Sequence, residues 1–122
     1  MYSNQIQIEQ DKNQGIFSVN ITDFGLKGLK KIVKRNQKAG TEIDRMMDCL
    51  KKHPELGREL TSDLYGMRVI ASECGEFRVV YGLDESTNEV TVQAVGHRKH
   101  IYEKLARLLK KVMPYTKGDE MR

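Results

Sequence analysis

Three runs of strand-forming residues, about Tyr65–Ser72, Glu76–Leu83 and Glu89–Val95, follow one another with only Cys74-Gly75 and Asp84-Glu85-Ser86-Thr87-Asn88 between them. Links this short cannot carry a chain across a sheet for parallel pairing, so the runs are confined to an antiparallel meander. Both links hold residues that turn easily, glycine in the first and Asp, Ser and Asn in the second. The rest of the chain has to pack on that meander, because a sheet hides an apolar face only against another layer.

What precedes the meander supplies the second layer. Gly15–Ile21 is rich in β-formers and stops at Thr22-Asp23, a good helix cap. From Phe24 the apolar residues Leu26, Leu29, Ile32 and Val33 recur at helical spacing, with Lys27, Lys30, Lys31, Lys34 and Arg35 on the remaining surface. Gly40 is expected to end this helix. Thr41 and Asp44 have the form of a capping box, and Ile43, Met46, Met47 and Leu50 give the stripe of a second helix that stops before Pro54. After the meander, Ile101, Leu105, Leu108, Leu109 and Val112 predict a last helix ending at Pro114. The expected fold is α+β in the order β-α-α-β-β-β-α, an antiparallel sheet with an N-terminal helical hairpin on one face and a C-terminal helix. One domain over 15–113 is flanked by a polar extension, 1–14, and a frayed tail, 114–122.

Composition sets outer limits on this reading. A chain of 122 residues with 39% hydrophobic and 31% charged residues has room for a single core and has no apolar run able to cross a bilayer. The start is polar, without the apolar stretch of a secretory signal, so the cytoplasm is the expected location. Cys49 and Cys74 lack metal-type spacing and read as small, partly buried side chains. The net charge of +4 favours polyanionic partners without requiring one.

Alternation along the three runs predicts Met67, Val69, Phe77, Val79, Tyr81, Leu83, Val90, Val92 and Ala94 facing the hairpin, with Tyr65 among the packing residues. Arg68, Arg78 and Gln93 then point the other way, beside Ile70, Val80 and Val95. Arg98 follows at the end of the third run. Guanidiniums converging on one face offer planar forks suited to phosphate, and the apolar strip beside them suits a protein partner as well. The plain alternative is solvated pairing of Arg68 and Arg78 with glutamates such as Glu73 or Glu76.

Leu64-Tyr65-Gly66-Met67-Arg68, Phe77-Arg78-Val79-Val80-Tyr81 and Val95-Gly96-His97-Arg98-Lys99-His100-Ile101-Tyr102 stand in an order and spacing that resembles the RelE/ParE superfamily of type II toxins. The resemblance runs from about Ile16 to Leu109. It implies a compact sheet with two N-terminal helices on one side, and a toxin held inactive by a cognate antitoxin protein. RelE-type members cut mRNA in the ribosomal A site; ParE-type members inhibit DNA gyrase. The RelE reading implies an endoribonuclease needing neither cofactor nor metal, with mRNA and the ribosome as partners, no membrane, and a catalytic set of Arg68, Arg78, His97, Arg98 and Tyr102.

That chemistry makes definite demands. A 2′-hydroxyl must lose a proton and attack phosphorus in line, a 5′-oxygen must gain one, and charge accumulates on the phosphoryl oxygens. Arg78 and Arg98 are similar to the family's phosphate-contacting arginines, and Arg68 occupies a strand where RelE-type members carry a basic residue. For the base, the resemblance points to Tyr102, although a phenol titrates near 10 in water and needs neighbouring cations to serve near neutrality. His97, as an imidazole, is the other candidate. Two departures keep the gyrase-directed alternative open: Gly66 stands where the best-known ribosome-dependent members have lysine, and Tyr102 follows Arg98 more closely than in those proteins. His97 and His100 have no third residue at ligand spacing, so zinc is not expected.

Overall fold

The computed structural model describes residues 16–61 and 64–112, so the expectations for 1–14, for 114–122 and for the Ser62-Asp63 connector lie outside the described residues. Ser18–Ile21 forms β1, and Thr22 closes it by capping α1, Asp23–Arg35: the Thr22 hydroxyl accepts the Gly25 N–H at 3.0 Å. Asn36 then ends α1 and starts α2, Gln37–Cys49. Its N–H donates to Ile32 O, while its side chain accepts the Ala39 N–H at 3.1 Å.

The helix boundary therefore falls four residues before the expected one. Gly40 lies inside α2, and the Thr41 hydroxyl, instead of capping, donates back to Gln37 O at 3.1 Å. Gly40 serves the packing of the hairpin: a methyl there would come within 2.6 Å of Val33 Cγ2, so the two helices approach where a side chain is missing.

After a short 3-10 turn at Pro54–Leu56 the chain forms β2 (Arg58–Glu59), β3 (Met67–Ala71), β4 (Phe77–Asp84), β5 (Glu89–His97) and α3 (Ile101–Val112). The strands make one five-stranded sheet in the order β1-β5-β4-β3-β2. The meander is antiparallel as expected, but β1 pairs with β5 in parallel, from Ser18 opposite Glu89 to Ile21 opposite Val92, so the sheet is mixed. The α1–α2 hairpin between β1 and the meander is the long crossover that parallel pairing needs. The two-residue edge strand β2 was not expected from the sequence.

Beyond Val92 no strand among the described residues covers β5 on its β1 side, and α1 lies there instead. Thr22 N–H donates to Val92 O at 3.0 Å and its hydroxyl to Gln93 O at 3.2 Å. Gly28 allows the approach, since a Cβ at this position would sit 2.0 Å from Val95 O.

Both faces of the sheet are covered. Phe77, Val79, Tyr81, Val90, Val92 and Val95 pack under the hairpin with Ile32, Ile43 and Leu50. Val69, Val80 and Ala94 pack under α3 with Ile101, Leu105 and Leu64. The second face is thus no open surface. Two features overturn the expected parity. The register shift near Val80/Tyr81 leaves Gln93 as an extra residue in β5, which moves Val95 to the hairpin side and Ala94 to the α3 side. In β3, Ile70 pairs with Val79 and takes the hairpin side, so Met67 and Val69 face α3. Tyr65 is 82% exposed rather than packed. Cys49 and Cys74 are exposed free thiols, at the end of α2 and in the β3–β4 turn. Among the described residues no helix is long and apolar enough to cross a membrane.

Candidate functional site

The antiparallel register of β4 and β5 brings the beginning of one against the end of the other. Phe77 faces His97, Arg78 faces Gly96, and the Arg98 N–H extends the ladder to Glu76 O at 2.8 Å. Gly75, with φ at +81°, makes the turn that starts β4. His100 N–H then bonds His97 O at 3.0 Å, and α3 begins, carrying Tyr102 in its first turn. Arg78, His97, Arg98 and Tyr102 are therefore grouped at one rim of the sheet, on three elements.

Their environments differ. Arg78 is half-buried, and its Nη1 donates to Gly75 O at 2.8 Å and Phe77 O at 3.1 Å, which fixes the guanidinium while the rest of its fork meets no acceptor among the described residues. Arg98 is exposed. Neither has a carboxylate within ion-pair distance among the described residues. Arg78 shares the α3 face with Val80, and the half-buried Tyr102 packs against the cluster on that face. His97 lies on the hairpin face, its ring edge-on to Phe77 at 5.9 Å between centroids. His97 Nδ1 accepts the Lys99 N–H at 3.1 Å, so the neutral ring carries its proton on Nε2. In that state His97 offers a donor, and its free lone pair is already used.

Arg68 does not join the group. Arg78 pairs with Ala71 across the β3–β4 ladder, and Arg68 lies three residues further on, roughly 10 Å along the strand. It pairs with Tyr81, on the face opposite Arg78. Its guanidinium donates to Gly57 O at 2.7 Å and Glu55 O at 3.3 Å and forms an ion pair with Glu59 at 3.1 Å. The expected single arginine face is thus split, and the carboxylate beside Arg68 is neither Glu73 nor Glu76. Glu59 is on the edge strand that the sequence did not reveal.

Arg68 belongs to a latch that holds the loop from Pro54 to Glu59 on the sheet. The buried Tyr81 hydroxyl donates to Pro54 O at 2.5 Å and accepts the Gly57 N–H at 2.8 Å. Burial raises the Tyr81 phenol above its ordinary value, opposed by the Gly57 hydrogen bond and the Arg68 charge. At the β4–β5 turn, the Ser86 hydroxyl and backbone N–H hold the Asp84 carboxyl below its usual range. Among the described residues no three His, Cys, Asp or Glu side chains converge as a metal site.

Residues 19–102 match the family model described as ParE toxin of type II toxin-antitoxin system, parDE. The span holds every strand except Ser18 at the start of β1, and the whole rim, and the chain belongs to this family of toxins. Solved structures with the same fold include the RelBE2 toxin-antitoxin complex of Mycobacterium tuberculosis, at 20% identity and TM-score 0.58, covering 67% of this chain and 98% of that one. The isolated RelE toxin of E. coli is similar at 16% identity and TM-score 0.57, over 66% and 83% of the two chains. The chromosomal ParDE system of P. aeruginosa is similar at 16% identity and TM-score 0.54, over 67% and 96%. No curated protein sequence matches this chain.

Proposed function

We propose that this toxin is an endoribonuclease that cleaves mRNA on the ribosome and stops translation, with its rim as the reactive centre. The observation that carries the reading is the pair Arg78 and Arg98 at one end of the sheet, both without carboxylate partners among the described residues. Two such cations can balance the charge that builds on the phosphoryl oxygens as a 2′-oxygen attacks and the 5′-oxygen leaves. Tyr102, on the face of Arg78, is the better placed base for the 2′-hydroxyl. The 2′-oxygen to phosphorus bond forms, the bond to the 5′-oxygen breaks, and a 2′,3′-cyclic phosphate results. The Nε2 N–H of neutral His97 suits a hydrogen bond to the phosphate; as imidazolium, His97 would supply the proton that the leaving 5′-oxygen takes up.

A cognate antitoxin is the proposed partner, as in the RelBE2 and ParDE assemblies, and it silences the toxin by covering this rim. One observation favours a second reading. Arg68 is tied to Glu59 on the far face, which leaves fewer cations at the rim than the RelE pattern implies, and a ParE-like toxin that binds DNA gyrase without nuclease activity needs none of them. Induced expression separates the two. Rapid arrest of protein synthesis with cut messages supports the ribonuclease; DNA-damage signalling with intact messages supports the gyrase inhibitor.

A further inference from the structure

Next to the rim, α1 and the first turns of α3 frame an open cleft of about 670 Å³ above the end of β5. Lys27, Lys31, Lys34 and Arg35 line it from α1, His100 and Lys104 from the other side, and no Asp or Glu takes part in the lining. The positions 27, 31, 34 and 35 fall on one stripe of the helix, spread over roughly 12 Å of its axis. None of these cations is in an ion pair among the described residues.

A helix face built only for solvation gains by mixing signs, whereas like charges four residues apart, as in Lys27 with Lys31 and Lys31 with Arg35, cost a few tenths of a kcal/mol each. The C-terminal end of the helix dipole accounts for Lys34 and Arg35 in the last turn. It does not account for Lys27 and Lys31. The base of the cleft is apolar and aromatic, with Phe24, Phe77 and Ile101, and with His97 tilted at 40° to His100 at 6.0 Å between centroids. Cations above an aromatic floor match single-stranded nucleic acid, whose phosphates and base faces need both. The volume suits one or two nucleotides. An amphipathic peptide helix, about 10 Å or more across, would need a longer groove.

We propose that this cleft holds the stretch of single-stranded RNA flanking the cut phosphodiester, with its phosphates on Lys27, Lys31 and Lys104 and a base against Phe77 and His97. His97 lines the cleft and is adjacent to Arg98, which makes the path from rim to cleft continuous. This inference rests on the ribonuclease reading and adds a sequence-tolerant binding track to it.

The test is the binding of a fluorescent hexauridylate with 2′-O-methyl sugars, which cannot be cleaved, measured by anisotropy across 50–300 mM salt (roughly the range where phosphate contacts dominate). Lys27, Lys31 and Lys104 are exposed, so the triple variant Lys27→Ala/Lys31→Ala/Lys104→Ala should fold as the parent does. It should bind on the order of ten-fold or more weakly, with a salt slope shallower by about 2, as expected for three lost contacts at ~0.7 each. An unchanged affinity and slope would overturn the cleft while leaving the rim reading intact. Failure of the parent protein to bind the oligonucleotide at low salt would also overturn the cleft, whereas the rim reading falls only if the parent leaves messages uncut on translating ribosomes. Equal competition by hexaglutamate would overturn the assignment to RNA in favour of an acidic peptide.

Discussion

Tyr81 ties the loop after α2 to the sheet. Its hydroxyl satisfies both Pro54 O and the Gly57 N–H in a buried setting. Tyr81→Phe strands both groups, and the expected loss is about 1–3 kcal/mol of stability, read by urea unfolding. The sign of its titration follows from the raised folded-state value: the stability it contributes is complete below the unfolded phenol value of about 10 and is lost as pH rises through the folded one. The parent should therefore lose stability above about pH 10. Tyr81→Phe should flatten that component of the alkaline limb. Arg68 acts in the same latch, with its side chain only 23% exposed, so Arg68→Ala should cost about 1–2 kcal/mol. Toxicity per folded molecule should be unchanged, measured as growth arrest normalised to soluble protein. Equal loss of toxicity in Arg68→Ala and Arg78→Ala would contradict the division of roles drawn from the two faces.

At the scale of elements, the seating of α1 on β5 decides the geometry of the rim. Helix propensity alone would make Gly28→Ala stabilising by about 1 kcal/mol. The clash of the new Cβ with Val95 O reverses the sign, because a backbone atom is in the way. A net destabilisation of about 1–3 kcal/mol is expected from thermal or urea unfolding. The order of elements, the hairpin and the meander were legible in the sequence, since periodicity and link length are local signals. The break at Asn36 was not, because one asparagine caps in both directions and a nearby Gly-Thr pair gives a stronger but false signal. The face of each strand was also hidden. With helices on both sides, both parities of β4 are apolar, so alternation could not reveal the extra residue at Gln93 or the pairing of Ile70 with Val79. Arg78, His97, Arg98 and Tyr102 could be grouped from the motif that carries them; the place of Arg68 depended on β2, which is only two residues long.

For the whole molecule, the two ends of the sheet differ in the charges around them among the described residues. The rim carries Arg78 and Arg98 and the neighbouring cleft the α1 lysines, whereas Glu59, Asp84 and Glu85 lie around the other end of the sheet, near Arg68. On the ribonuclease reading the rim meets a polyanion, and the association rate should fall as salt rises. The ribonuclease account stands or falls on the rim arginines. Its most direct test is mRNA cleavage on purified translating ribosomes, read by primer extension, for the parent, Arg78→Ala and Arg98→Ala, all verified as folded. The account predicts discrete cuts with the parent and at least a hundred-fold slower cutting with either variant, in the range for removing one stabilising donor (roughly 10²–10³). Intact messages with the parent, or undiminished cutting by both variants, would contradict it.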